Sequence, residues 1–69
     1  MSPAPLTAYA GNPIRVARAA RGWTQTDLAV KAGVSIATVA FAEAGRTAPT
    51  VATLQKIARA LKVPITELL

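Results

Sequence analysis

Two helix starts stand unusually close together in this chain, and that spacing constrains the fold more than any other feature. Thr24-Gln25-Thr26-Asp27 is a capping-box variant with Asp in place of the usual Glu. The Thr hydroxyl accepts the N–H three residues on, and the acid there returns a bond to the cap N–H. It opens a helix over about Thr24 to Ala32, with Leu28 and Ala29 facing inward and Ala32 one turn on. Gly33 stops that helix, and Ser35 caps the next, which runs to about Ala44 with Gly45 as its stop. Two short helices joined by a turn of about three residues cannot bury their apolar faces alone. The remaining helices must supply the core.

The flanking segments supply them. Asn12-Pro13 reads as a cap followed by Pro at the first helical position, starting a helix to about Arg21 that Gly22 ends. Its inner face is Ile14, Ala17, Arg18 and Arg21. Arg18 on a buried face requires a carboxylate partner. Thr50 caps a fourth helix to Leu61, whose stripe Val51, Leu54, Ile57, Ala58 and Leu61 is the cleanest in the chain, with Lys56 and Arg59 outside. After Lys62-Val63, Pro64 starts a short fifth helix with Ile65, Leu68 and Leu69. Residues 1–11 are uncharged, Pro- and Ala-rich and aperiodic, and read as a flexible N-terminal arm preceding a domain over residues 12–69. The expected fold class is all-α, five helices in one compact domain.

Composition narrows function. The hydrophobic fraction is 52%, but 16 of the 69 residues are Ala, which bury little and favour helix. No segment alternates with period two. There is no Cys, no His and only three carboxylates, so the common metal ligands and nucleophile–base pairs are missing; no catalytic residue, metal or cofactor is expected. Eight Lys and Arg give a net charge of +5, which points to a polyanionic partner. The two longest charge-free runs are Met1–Ile14, broken by three prolines, and Ala32–Ala42. Neither matches the roughly 20 apolar residues of a membrane span, and the N-terminus lacks the basic and apolar regions of a signal peptide. A cytoplasmic setting with no membrane partner is expected, and the length suggests a free-standing regulator.

The residues that carry these features also carry a resemblance. Gly22-Trp23-Thr24-Gln25, Leu28-Ala29, Ala32-Gly33-Val34-Ser35, Thr38-Val39 and Glu43-x-Gly45-Arg46, continued by Pro49-Thr50, Thr53-Leu54, Ile57-Ala58, Ala60-Leu61 and Glu67-Leu68, resemble the Cro/repressor-type (Xre-like, lambda-repressor-like) helix-turn-helix family over about Ile14 to Leu69. The resemblance implies a five-helix domain that binds double-stranded DNA, usually as a homodimer on a pseudo-palindromic operator, with the third helix in the major groove. It also implies an ion pair between an Arg of the first helix and a Glu near the end of the recognition helix, here Arg18 and Glu43. The helix pattern arrives at the same pair. Arg18 faces inward, and Glu43 sits at a helix C-terminus where the dipole disfavours an anion.

Phosphate contacts need cations, short polar side chains and backbone N–H groups. Thr24 and Gln25 at the second helix's N-terminus, Arg46 and Thr47 beyond the third helix, and Arg15 on the first are the candidates; the resemblance implies a backbone contact for the Gln25 position. Lys31, Lys56, Arg59 and Lys62 read as solvated surface charges. The positions facing DNA bases would be Ser35, Ile36, Ala37, Thr38, Ala40 and Phe41, and here the chain departs from the family's polar readers. Ile36, Ala37, Ala40 and Phe41 cannot hydrogen-bond, and the hydroxyls of Ser35 and Thr38 lie near the cap. Four readings stay open: apolar readout of thymine methyls, low intrinsic specificity supplemented by dimer spacing and phosphate register, a protein-docking strip, or a register in which Phe41 swings into the core beside Ala42.

The leading reading is a sequence-specific DNA-binding transcriptional regulator, a dimeric repressor or controller. The alternative is an antitoxin or anti-activator type interaction module with a second protein partner. Ile65, Leu68 and Leu69 are the candidate dimer surface; alternatively Leu68 caps the protomer's own core and leaves Ile65 and Leu69 for the dimer.

Overall fold

A computed structural model describes residues 12–69; the arm expected over residues 1–11 lies outside them. Four α-helices follow one another: α1 Pro13–Ala20, α2 Gln25–Ala32, α3 Ile36–Ala44 and α4 Val51–Leu61. A 3₁₀ turn, Ile65–Leu68, follows. The described residues contain no strand. Each α-helix begins on the side chain expected to cap it. Asn12 Oδ1 accepts the N–H groups of Ile14 and Arg15 at 2.9 and 3.3 Å. Thr24, Ser35 and Thr50 accept those of Asp27, Thr38 and Thr53 at 3.0 to 3.1 Å.

The turn between α2 and α3 depends on Gly33, whose φ of 71° is left-handed. That geometry is cheap only without a Cβ. It aims the Val34 N–H at the Ala29 carbonyl, 3.0 Å away, and sets Ser35 to start α3 at once. Lys62 ends α4 in the same conformation (φ 59°) with a side chain attached.

The core is one cluster drawn from every element. Ile14 of α1, Leu28 and Ala29 of α2, Val39 and Ala42 of α3, and Leu54, Ile57, Ala58 and Leu61 of α4 meet Leu68 from the 3₁₀ turn. Helix α2 packs on α3 and α4, and α1 lies across α3, α4 and the turn.

Three expectations are corrected. The fifth element is not an α-helix. It is a single turn closed by a Glu67 N–H to Pro64 carbonyl bond of 2.9 Å, since four residues are too few for i to i−4 bonding to become established. Val51 is not core. It is 66% exposed, because it opens α4 one turn before Leu54, the first residue of that helix to reach the cluster. Leu68 is buried in the protomer's own core, so it offers no surface to a second subunit.

The capping box of α2 makes a pH prediction. The Asp27 carboxylate accepts the Thr24 backbone N–H at 2.8 Å. That bond, the Thr24 hydroxyl and nearby Lys31 together hold its pKa below the usual carboxylate value. A carboxyl whose folded pKa is depressed stabilises the fold above its unfolded pKa of about 4, and the contribution is lost as pH falls through the folded value. Thermal midpoints should therefore fall more steeply below about pH 4 in the wild type than in Asp27→Ala. Superimposable acid limbs would show that the Asp27 charge does not support the cap.

Candidate nucleic-acid interface

The ion pair forms with full geometry. Arg18 Nε donates to Glu43 Oε2 at 2.6 Å and Nη2 to Oε1 at 2.9 Å, a bidentate fork. Arg18 Nη1 donates to the Trp23 carbonyl at 2.6 Å, and Gln25 Nε2 donates to Glu43 Oε1 at 3.1 Å. The side chains are 14% and 4% exposed. Hydrogen bonding to Glu43, reinforced by its charge and opposed by burial, raises the pKa of Arg18 above its already high ordinary value. The pair therefore fixes α3 against α1 and α2, and it withdraws one cation and one anion from the surface.

Beside it, Arg15, Arg18, Gln25, Ala40, Glu43 and Ala44 line one shallow concavity. It brings together residues of α1, α2 and α3 that the sequence offered separately. The first turn of α2 opens close by. Thr24 Oγ1 accepts the Asp27 N–H, and its hydroxyl also helps hold the Asp27 carboxylate. The N–H groups of Gln25 and Thr26 find no acceptor among the described residues, which is the usual condition of a helix N-terminus. One amide proton of Gln25 serves Glu43 and the second remains. Capping by Thr24 is thus compatible with an anion contact at the backbone N–H groups and the Gln25 amide.

Arg46 and Thr47 are exposed in the loop after α3. The Arg46 guanidinium carbon lies 6.0 Å from the Phe41 ring centroid, over its face. Phe41 is 45% and Ile36 50% exposed. Ala37 and Ala44 are exposed, and Ala40 is half-buried. Phe41 is outside the core, where Ala42 and Val39 occupy the inner side of α3. Ser35 Oγ and Thr38 Oγ1 share a hydrogen bond of 2.8 Å with each other, and Ser35 also takes the Thr38 N–H.

The family model for helix-turn-helix domains of the Cro/repressor, Xre-like type matches residues 14–68. The chain belongs to this family. It carries a DNA-binding regulatory domain of the helix-turn-helix kind. No match was found among curated proteins or among solved structures. Among the described residues, no helix is long and apolar enough to cross a membrane.

Two residues tie the helices together through contacts that the sequence did not announce. Asn12 Nδ2 donates to the Ala42 carbonyl at 2.6 Å, so the residue that caps α1 also fastens the last turn of α3. Arg21, expected on the inner face of α1, is exposed. Its guanidinium reaches the Ala17 and Leu61 carbonyls at 2.7 and 2.6 Å, joining the ends of α1 and α4. All three acceptors are main-chain oxygens, which every residue possesses, so no side-chain pattern could flag them. The Gln25 to Glu43 bond was likewise unmarked, although Gln25 was expected at the interface.

Of the proposed dimer residues, Ile65 is half-buried against the core and Leu69 is exposed.

Proposed function

We propose that this protein is a transcriptional repressor or controller that binds double-stranded DNA as a homodimer, on a pseudo-palindromic site, with α3 in the major groove of each half-site. The observation that carries this reading is the charge arrangement around α3. Arg15 and Arg46 flank its outward face, and the carboxylate near its end, Glu43, is paired with Arg18. Thr24, Gln25 and Thr47 supply polar contacts to the phosphates, and Arg15 and Arg46 neutralise them. Ile65 and Leu69 contribute to the two-fold contact.

The test is salt dependence on random-sequence duplex. Two arginines in each of two protomers neutralise about four phosphates, for a slope near −3.6 in log K against log salt. Affinity should then fall about 10²-fold between ~50 and ~200 mM salt. Arg46→Ala should flatten the slope by nearly two units, since both protomers lose the contact. Weak binding with no salt slope would sink the reading. It would favour the alternative, an antitoxin or anti-activator type module whose partner is a protein, for which the apolar outward face of α3 is the motive. Light scattering at tens of micromolar should return a dimer; a monomer would remove the two-fold part of the proposal.

A further inference from the structure

The outward face of α3 is the one place where the chain departs from what a reader of bases is expected to carry. Its side-chain hydrogen-bonding groups are few and lie towards its two ends. Thr38 is bonded to Ser35, and Glu43 is held by Arg18 and Gln25. What remains outward is Ile36, Ala37 and Phe41, with Ala40 half-buried between them. The ring of Phe41 is capped on one face by Arg46. In the major groove, hydrogen-bonding atoms of the bases require donors or acceptors from the protein, and the C5-methyl of thymine requires none. It is the single apolar feature of the four base-pair edges.

We propose that this protein selects its DNA sites through thymine C5-methyl groups packed against Ile36 and Phe41, with Ala37 and Ala40 admitting the groove edge between them. The inference rests on the DNA-binding reading above and names what that site discriminates. Charge supports nucleic acid as the occupant of this apolar strip, since Arg15 and Arg46 border it and the nearby Glu43 carboxylate is paired with Arg18. The small side chains serve the same end. An Ala at 37 and at 40 lets the helix backbone approach the groove floor, so that the two larger apolar groups reach the methyls. Asn or Gln at Ile36 or Phe41 would bring polar atoms that thymine methyls cannot satisfy.

Uracil differs from thymine only by that methyl, so the experiment replaces it. The full protein is used to select its tightest duplex from a random-sequence pool, and each T of the half-sites is exchanged for U. Each contacted methyl should cost about fourfold in affinity, the fold-change that corresponds to the ~0.8 kcal/mol of one buried methylene-sized group. Symmetric exchange in both half-sites should cost about 15-fold. The salt slope should not change, because no phosphate contact is lost. Ile36→Ala and Phe41→Ala, both at exposed positions, should shrink the thymine-over-uracil preference while leaving the thermal melt in place. A selected duplex that binds with its steep salt slope but is indifferent to uracil overturns this inference and leaves the DNA-binding reading standing. So does a thymine preference that survives in the Ile36→Ala/Phe41→Ala double variant. The absence of any salt-dependent duplex binding overturns both.

Discussion

Glu43→Ala is expected to lower the stability of the fold by ~3 kcal/mol, because it leaves an arginine inside with nothing to neutralise it. The substitution strips acceptors from three donors at once: Arg18 Nε, Arg18 Nη2 and Gln25 Nε2. Only the Trp23 carbonyl is left to Arg18. A domain of this size holds a total stability of about 3–10 kcal/mol, so the variant should melt far below the wild type or be unfolded at room temperature. Glu43→Gln keeps one acceptor oxygen in place and should recover part of the loss while leaving the charge uncompensated. Urea denaturation of the three proteins, with the slope of free energy against denaturant held constant, measures it. A midpoint unmoved by Glu43→Ala would mean that water reaches the guanidinium, and the pair would then be an ordinary surface bridge worth about 0–1 kcal/mol.

Ile57→Ala should be comparably severe, at ~3 kcal/mol. Ile57 is fully buried at the centre of a cluster drawn from all five elements. Truncating an isoleucine in a core costs about 2–5 kcal/mol, from lost transfer energy plus the cavity left behind. Val51 belongs to the same apolar stripe in the sequence, yet Val51→Ala should change stability by less than about 0.5 kcal/mol. The two variants share a helix and differ in depth, so their contrast tests the placement of the core directly. A large loss at Val51 would show that the start of α4 is covered, for instance by a second subunit.

That contrast also marks how far the sequence could be read. Caps were legible because their chemistry is local. Asn12, Thr24, Ser35 and Thr50 bond to N–H groups two or three residues on, so each announces itself within a few positions. The Arg18–Glu43 pair was legible because each residue stood alone in a place that disfavours its charge. The depth of Val51 was not legible, since helical periodicity gives a direction around the axis and says nothing about where along the axis the core begins. Leu68 failed for a related reason. A leucine beyond the last long helix suits a core or an interface equally, and only the packing of the 3₁₀ turn against α1 and α4 decides it. Within the interface, the apolar character of α3 was plain, but whether Phe41 turned inward depended on how well Ala42 and Val39 fill the inner side.

The bonds that position α3 all come from its cap or its far end: Ser35 at its start, Ala42 and Glu43 near its close. None involves the side chains of Ile36, Ala37 or Phe41. The scaffold and the proposed reading surface are therefore separable inheritances. Mutation can exchange those three residues for others without disturbing a pin, so under the proposed function a lineage built on this chain could drift from one DNA site to another while its fold is kept.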